Sequence, residues 1–312
     1  MATLPGIHHV TAITSDAQTN ADFYAGLLGL RLVKKTVNFD DPTSYHLYYG
    51  DEVGRPGSAM TFFVWPGAPR GRQGPGQVLV TAFSVPAGSL EWWAARLREA
   101  GLDVGDPESR FGDGVLPFAD PEGMRLELVA PALPDPREPW AGGPVPAEHG
   151  IRGFHSVILS LPGNEDTARL LTDTLGFRAG PAAGDRARFE TGAAGGVADL
   201  RAMPDAAPGL VAAGTVHHVA WRTPDDASQL DWRDVVIGAG YDVTPVLDRQ
   251  YFHSIYFREP GGVLFEIATD VPGFTMDEPA EALGSSLRLP PRLEPLRAEL
   301  ELRLPPFTVP AA

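Results

Sequence analysis

An internal repeat constrains the fold of this chain more than any other feature. Residues 100–129 read AGLDVGDPESRFGDGVLPFADPEGMRLELV, and residues 239–268 read AGYDVTPVLDRQYFHSIYFREPGGVLFEIA. Without a gap, Ala100 falls on Ala239, Asp103 on Asp242, Arg110 on Arg249, Pro121 on Pro260, Gly123 on Gly262 and Glu127 on Glu266. A weaker pair relates GIHHV at 6–10 to GFHSV at 153–157, and LLGLR at 27–31 to TLGFR at 174–178. Self-similarity of this kind means one supersecondary unit used several times.

Each unit carries the same punctuation. A short apolar strand opens it: His9–Thr14, Val78–Val85, His155–Leu161 or His217–Arg222. A helical stretch follows, with apolar residues three and four apart, such as Phe23, Leu27 and Leu30, or Leu90, Trp93, Ala94 and Leu97. Gly29, Gly101, Gly176 or Gly240 ends it. β-rich runs come next, among them Ser44–Tyr49 and Ala59–Trp65, and Pro-Glu-Gly at 121–123 and Pro-Gly-Gly at 260–262 read as hairpin turns. The expectation is an α+β protein of four βαβββ units, at about 6–66, 78–130, 151–203 and 215–270. The Pro-rich stretch 131–150 reads as a linker. It splits the chain into an N-terminal domain, 1–140, and a C-terminal domain, 141–312, the latter with a Pro-rich tail at 271–312. A short helix near Leu293–Leu302 is expected to cover an edge.

Composition limits the chemistry. Hydrophobic residues make up 43% and charged residues 21% of the 312, an ordinary globular balance. The net charge of −15 repels phosphate backbones and anionic membranes, so nucleic-acid binding is not expected. There is no cysteine, which rules out thiolate metal sites, iron–sulfur clusters, disulfides and a cysteine nucleophile. Any metal must be held by nitrogen and oxygen. No stretch approaches the roughly 20 apolar residues of a membrane helix, and Met1 to Val10 lacks a basic region followed by an apolar run. A cytoplasmic location is the default expectation.

Two His-His pairs, His8-His9 and His217-His218, open the first strands of units one and four. Side chains alternate along a strand, so at most one histidine of each pair should face a given site. His8 matches His155 in unit three while His9 matches Ser156, and at the 139-residue spacing His218 falls on Leu79. The second histidine of each pair is thus the one lost elsewhere. Glu266 lies between Phe265 and Ile267 in an apolar strand, where an unpaired carboxylate is costly to bury unless a cation meets it. The alternative is that Glu266 turns outward to water. Glu127 has the same setting without histidine partners and reads as structural. His9, His218 and Glu266 form the two-imidazole, one-carboxylate set of non-haem iron(II) enzymes that use oxygen. Manganese, zinc, nickel and cobalt remain open. The last strand of unit one, Ala59–Trp65, offers no acidic fourth ligand.

At this point the chain resembles the vicinal oxygen chelate (glyoxalase/extradiol dioxygenase) superfamily, and within it the dioxygenases that cleave hydroquinone rings. GIHHVT (6–11), YHLYYGDEVGRPGSAMT (45–61), GSLEWW (88–93), EHGIRGFHS (148–156), VHHVAW (216–221) and PGGVLFE (260–266) carry the resemblance. It implies two domains of paired units with open, curved mixed sheets, and iron ligands at His9, His218 and Glu266. It places His8, His217, Thr11, Arg249 and Tyr256 around the ring substrate. It implies an Fe(II)-dependent ring-cleaving dioxygenase whose partners are a small dihydroxylated aromatic and O2. Self-association is left open. Two departures lie near the pocket: DRQYFHS (248–254) is shorter before Tyr251-Phe252, and His253 stands where an acid is expected. The alternatives are a glyoxalase-like metal-dependent isomerase or lyase, which usually wants a fourth ligand, and a resistance protein that binds an aromatic compound or antibiotic.

Overall fold

The computed structural model describes residues 3–310; Met1, Ala2, Ala311 and Ala312, at the outer ends of the two expected domains, lie outside the described residues. Unit one contributes β1 (Ile7–Thr14), β2 (Arg31–Val37), β3 (Tyr45–Gly50) and β4 (Ala59–Val64). Unit two contributes β5 (Gln77–Ser84), β6 (Glu108–Arg110), β7 (Asp113–Ala119) and β8 (Arg125–Ala130). Unit three contributes β9 (Phe154–Leu161), β10 (Arg178–Ala183), β11 (Arg186–Glu190) and β12 (Val197–Ala202). Unit four contributes β13 (Thr215–Thr223), β14 (Leu247–Asp248), β15 (Phe252–Arg258) and β16 (Leu264–Pro272).

A helix follows each opening strand. These are α1 (Ala17–Ala21), α2 (Leu90–Glu99), α3 (Glu165–Arg169) and α4 (Asp226–Gly238). In units one and three the helix widens into a π turn, at Asp22–Leu27 and Leu170–Thr174. Asp16 and Asp225 cap α1 and α4 by accepting from the backbone N–H of Thr19 and Ser228. The four expected terminal glycines take left-handed φ values of 73° (Gly29), 79° (Gly101), 77° (Gly176) and 93° (Gly240), which stop each helix. The crossover lets the last strand return parallel to the first, so every unit has the spatial order first, fourth, third, second.

Two eight-stranded sheets result: one runs β14-β15-β16-β13-β1-β4-β3-β2, the other β10-β11-β12-β9-β5-β8-β7-β6. Unit one therefore joins unit four, and unit two joins unit three, through antiparallel pairs of opening strands. The expected split at 140/141 does not divide the sheets, because each sheet draws one unit from either side of it. The reason is an edge: β1 is buried along its whole length, and β13 covers the side that β4 leaves open.

The seams are bulged. Ile7 faces Trp221 and His9 faces Ala220, which leaves His8 as an extra residue; Thr11 faces His218 and Ala12 faces Val216, which leaves His217 extra. The second sheet repeats this with Leu79 and His155. The bulges align Leu79 with His217, not with His218 as the 139-residue spacing suggested; the opening strands of units two and four are related by one residue less.

The linker 131–150 is irregular and is tied down by Arg137, which donates to Gly57 O and Phe154 O. The tail covers the edge of β2: Arg288 N donates to Lys35 O at 2.8 Å, and buried Lys34 pairs with Asp277 and Glu278. Its short helix, α5, spans Arg297–Arg303 after a 3-10 turn at Glu294–Leu296. Among the described residues no helix is long and apolar enough to cross a membrane.

Candidate metal centre

The two bulges decide where the histidines point. Strict alternation would send the members of each pair to opposite faces, but a bulge turns neighbouring side chains toward one side. His8 Nδ1 consequently lies 2.9 Å from His9 Nδ1, and His217 Nδ1 lies 2.8 Å from His218 Nδ1. The expectation that at most one histidine of each pair faces a given site holds for the first pair, of which His9 alone lines the cavity, and is corrected for the second, where His217 and His218 both line it.

The paired Nδ1 atoms leave Nε2 of His9 and of His218 free, and these meet at 3.3 Å. Glu266 Oε2 sits 3.3 Å from His9 Nε2 and 2.9 Å from His218 Nε2. All three residues are buried. Oε2 nevertheless has no hydrogen-bond partner, although both Nε2 atoms lie within 3.3 Å of it, so the three atoms are grouped as the ligands of one ion would be. Donors about 2.1 Å from a first-row divalent ion lie about 3.0–3.4 Å apart at neighbouring octahedral or tetrahedral positions. Two of the observed spacings, both 3.3 Å, fall in that range and the third, 2.9 Å, lies just below it, and a divalent cation would satisfy the orphaned oxygen. A His/His/Glu site able to bind a divalent metal is therefore present.

The surroundings favour the ligand forms of His218 and Glu266. Ser254 donates to the other oxygen of Glu266, Oε1. Burial, more than any neighbour, lowers the imidazole values of His8, His217 and His218, with His217 down at about 3. Burial alone would push the Glu266 carboxyl up, but the facing rings of His9 and His218 outweigh it and hold it well below the usual range. Neutral imidazoles beside an ionised carboxylate are what metal binding requires. Once Nε2 is committed to an ion, the proton of His218 resides on Nδ1 and is donated to His217.

A cavity of about 310 Å³ opens on the pair His9/His218, with Phe63, Phe252, Tyr256 and Arg249 in its walls. Arg249 Nε donates to the Tyr256 hydroxyl at 3.2 Å, and Arg249 Nη1 reaches Asp40 at 3.1 Å. Burial, with Glu266 next, raises the Tyr256 phenol well above its ordinary value and keeps it protonated. His8 and Thr11 lie behind the cavity wall: His8 backs His9, and Thr11 Oγ1 contacts Thr61 Oγ1 at 2.8 Å. His253 is turned away, paired with Asp226 at 2.6 Å.

The sequence reading missed His46, Tyr48 and Ser254. Tyr48 OH bonds to His46 Nδ1 at 2.8 Å and His46 Nε2 to Thr61 Oγ1 at 2.9 Å, and both side chains line the cavity. The two-residue spacing in YHLYYG was the available signal, since it puts both on one face of a strand. Ser254 gave none.

In the second sheet the corresponding positions hold no such triad. Glu127 is paired with Arg110 at 2.8 Å. Arg188, nearly buried, donates to Asp199 at 2.9 Å and to Asp113 at 2.7 Å, with His155 3.6 Å from Asp113. In this sheet the acidic groups are paired with guanidinium groups.

Comparison with known proteins agrees with this architecture. The family model described as "Glyoxalase/Bleomycin resistance protein/Dioxygenase superfamily" matches residues 6–128 and 153–267. The Bacillus subtilis (strain 168) protein named "Putative ring-cleaving dioxygenase MhqO" is 48% identical over 305 residues, 97% of each chain. The "Chlorohydroquinone/hydroquinone 1,2-dioxygenase" of Sphingobium indicum is 37% identical over 303 residues, 95% of this chain and 94% of that one. A crystal structure of a "putative dioxygenase from Bacillus subtilis subsp. subtilis str. 168" superposes with a TM-score of 0.94 at 45% identity, covering 100% of both chains. Glyoxalase I of Zea mays shares the fold, with a TM-score of 0.61 at 16% identity over 85% of this chain and 92% of that one.

Proposed function

The chain belongs to the Glyoxalase/Bleomycin resistance protein/Dioxygenase superfamily, and we propose that within it this protein is an iron(II)-dependent dioxygenase that opens hydroquinone- or catechol-type rings with O2. The observation that carries this reading is the unpartnered Glu266 Oε2 converging with two imidazole Nε2 atoms beside an aromatic-walled cavity. Two imidazoles and one carboxylate leave several coordination positions open, the preference of iron(II) oxygenases over structural zinc. The name of the Sphingobium relative gives hydroquinones as its substrates, and that of the MhqO relative gives ring cleavage.

His9, His218 and Glu266 would hold the iron. Bound there, it would supply the Lewis acidity that favours loss of a ring hydroxyl proton and bring ring and dioxygen together. The protein's own groups do the rest. His8 and His217 fix the proton of each ligand on Nδ1, so both Nε2 lone pairs stay aimed inward. His217, neutral and carrying its proton on Nε2, serves as a donor to a substrate oxygen. The Arg249 guanidinium, anchored on Tyr256 and Asp40, offsets negative charge on the ring oxygens. Phe63 and Phe252 pack against the ligand rings and keep water from them. Thr11 acts at a distance, through Thr61 and His46. The glyoxalase-like alternative wants a fourth oxygen ligand, and Thr61 stands where it would come from.

The test is oxygen uptake. Protein loaded anaerobically with iron(II) should consume one O2 per hydroquinone ring opened, and the zinc form none. Fully iron-loaded protein that consumes no oxygen with any hydroquinone or catechol contradicts the proposal.

A further inference from the structure

Phe39 is the residue shared by the walls of two cavities: the 310 Å³ chamber on the histidines and an open groove of about 1080 Å³ beside it. The groove lies between the tail and unit four, with Leu289, Pro290, Pro291, Met276 and Val271 giving it an apolar floor. Phe39 sits on the loop joining β2 to β3, half-buried. The loop is held from both sides. From the tail, Arg292 donates to Phe39 O at 3.0 Å and lies 5.7 Å over its ring. From the chamber, Arg249 holds Asp40, the next residue.

Size gives this wall a consequence. A cavity of about 150 Å³ suffices for benzene, so one ring takes up about half of the 310 Å³, and dioxygen and the ring's hydroxyl groups must share the remainder with any further substituent. We propose that Phe39 is a specificity-determining residue: it confines substrates to single rings with small substituents, and the apolar groove behind it is the space a bulky apolar ring substituent would enter if the phenyl group were removed or swung aside. The inference rests on the ring-cleaving reading above.

The probes are hydroquinone and phenylhydroquinone, titrated calorimetrically into zinc-loaded protein, where binding is read without turnover. Wild-type protein is expected to bind phenylhydroquinone about tenfold more weakly than hydroquinone or worse. Phe39→Ala should gain about tenfold for phenylhydroquinone while hydroquinone changes less than about threefold. Arg292→Ala, a change at an exposed residue, should speed phenylhydroquinone association with the zinc-loaded protein, followed by stopped-flow mixing, by freeing the wall. Equal shifts for both ligands in Phe39→Ala, or wild-type protein that already binds phenylhydroquinone as tightly as hydroquinone, overturn the inference. If Phe39→Ala does not fold, an unchanged association rate in Arg292→Ala overturns it instead. Wild-type protein that binds neither ligand contradicts the ring-cleaving reading itself, a result distinct from a failure of discrimination alone.

Discussion

Thr61 and Glu266 occupy corresponding places on the two halves of one sheet: Thr61 pairs with Thr11 on β1, and Glu266 pairs with Ala220 on β13. The bulges at His8 and His217 fix this correspondence, since each stands three residues before the paired position. A carboxylate at residue 61 would face the same point as Glu266. Thr61→Glu is expected to tighten nickel or zinc binding by about tenfold or more and to abolish oxygen uptake with hydroquinone. Calorimetric metal titration and an oxygen electrode check the two halves of this expectation.

The histidines preceding the ligands should matter for metal retention. Their Nδ1 contacts to His9 and His218 are 2.9 and 2.8 Å, and loss of such a partner typically costs about 10–100-fold in metal affinity. His8→Ala should show that loss and recover activity when metal is in excess. His217→Ala should not recover, because a cavity donor is gone as well. Competition with a chromophoric chelator, followed by assay at saturating iron, separates the two.

What could be read in advance, and what could not, follows from the physics of each element. The βαβββ repeat was legible because glycine punctuation and strand–helix alternation are local properties. His9 and His218 were legible because the second histidine of each pair is the one lost in other units, and Glu266 because a cation would account for a carboxylate within an apolar strand, although an outward-facing Glu266 fitted the same pattern. The pairing of unit one with unit four was not legible, since it depends on a distant strand covering the open side of β1. Nor were the bulges, which break the two-residue alternation and bring His217 alongside His218; a one-residue slip also misaligned Leu79. Ser254 is an ordinary strand serine until Glu266 is placed next to it.

The charged cluster in the second sheet predicts stability without function. Arg188→Met leaves Asp199 and Asp113 buried with less compensation, a change that costs about 3–5 kcal/mol in comparable settings. Thermal unfolding should fall by on the order of 10 °C, with metal content unchanged. Scanning calorimetry with parallel metal analysis tests it.

Asp120 predicts a pH dependence. Burial pushes its carboxyl up to about 6, against backbone donors from Met124 and Glu122 and the Tyr24 hydroxyl. A folded value above the unfolded one, about 3.9, means the native state binds the proton more tightly. That contribution is complete below about pH 4 and is lost as pH rises through 6, so the ionised group costs on the order of 2–3 kcal/mol at neutral pH. Asp120→Asn keeps an acceptor and removes the charge. It should unfold at a higher temperature than wild type at pH 7.5, with the gap closing below pH 5; a gap independent of pH contradicts the assignment.

The most direct test of the metal centre is elemental analysis of protein purified without added metal, beside His218→Ala prepared identically. Wild type should carry close to one divalent ion per chain, with iron prominent, and the variant almost none while remaining folded by circular dichroism. A His218→Ala protein that retains the wild-type metal content would contradict a centre built on His9, His218 and Glu266.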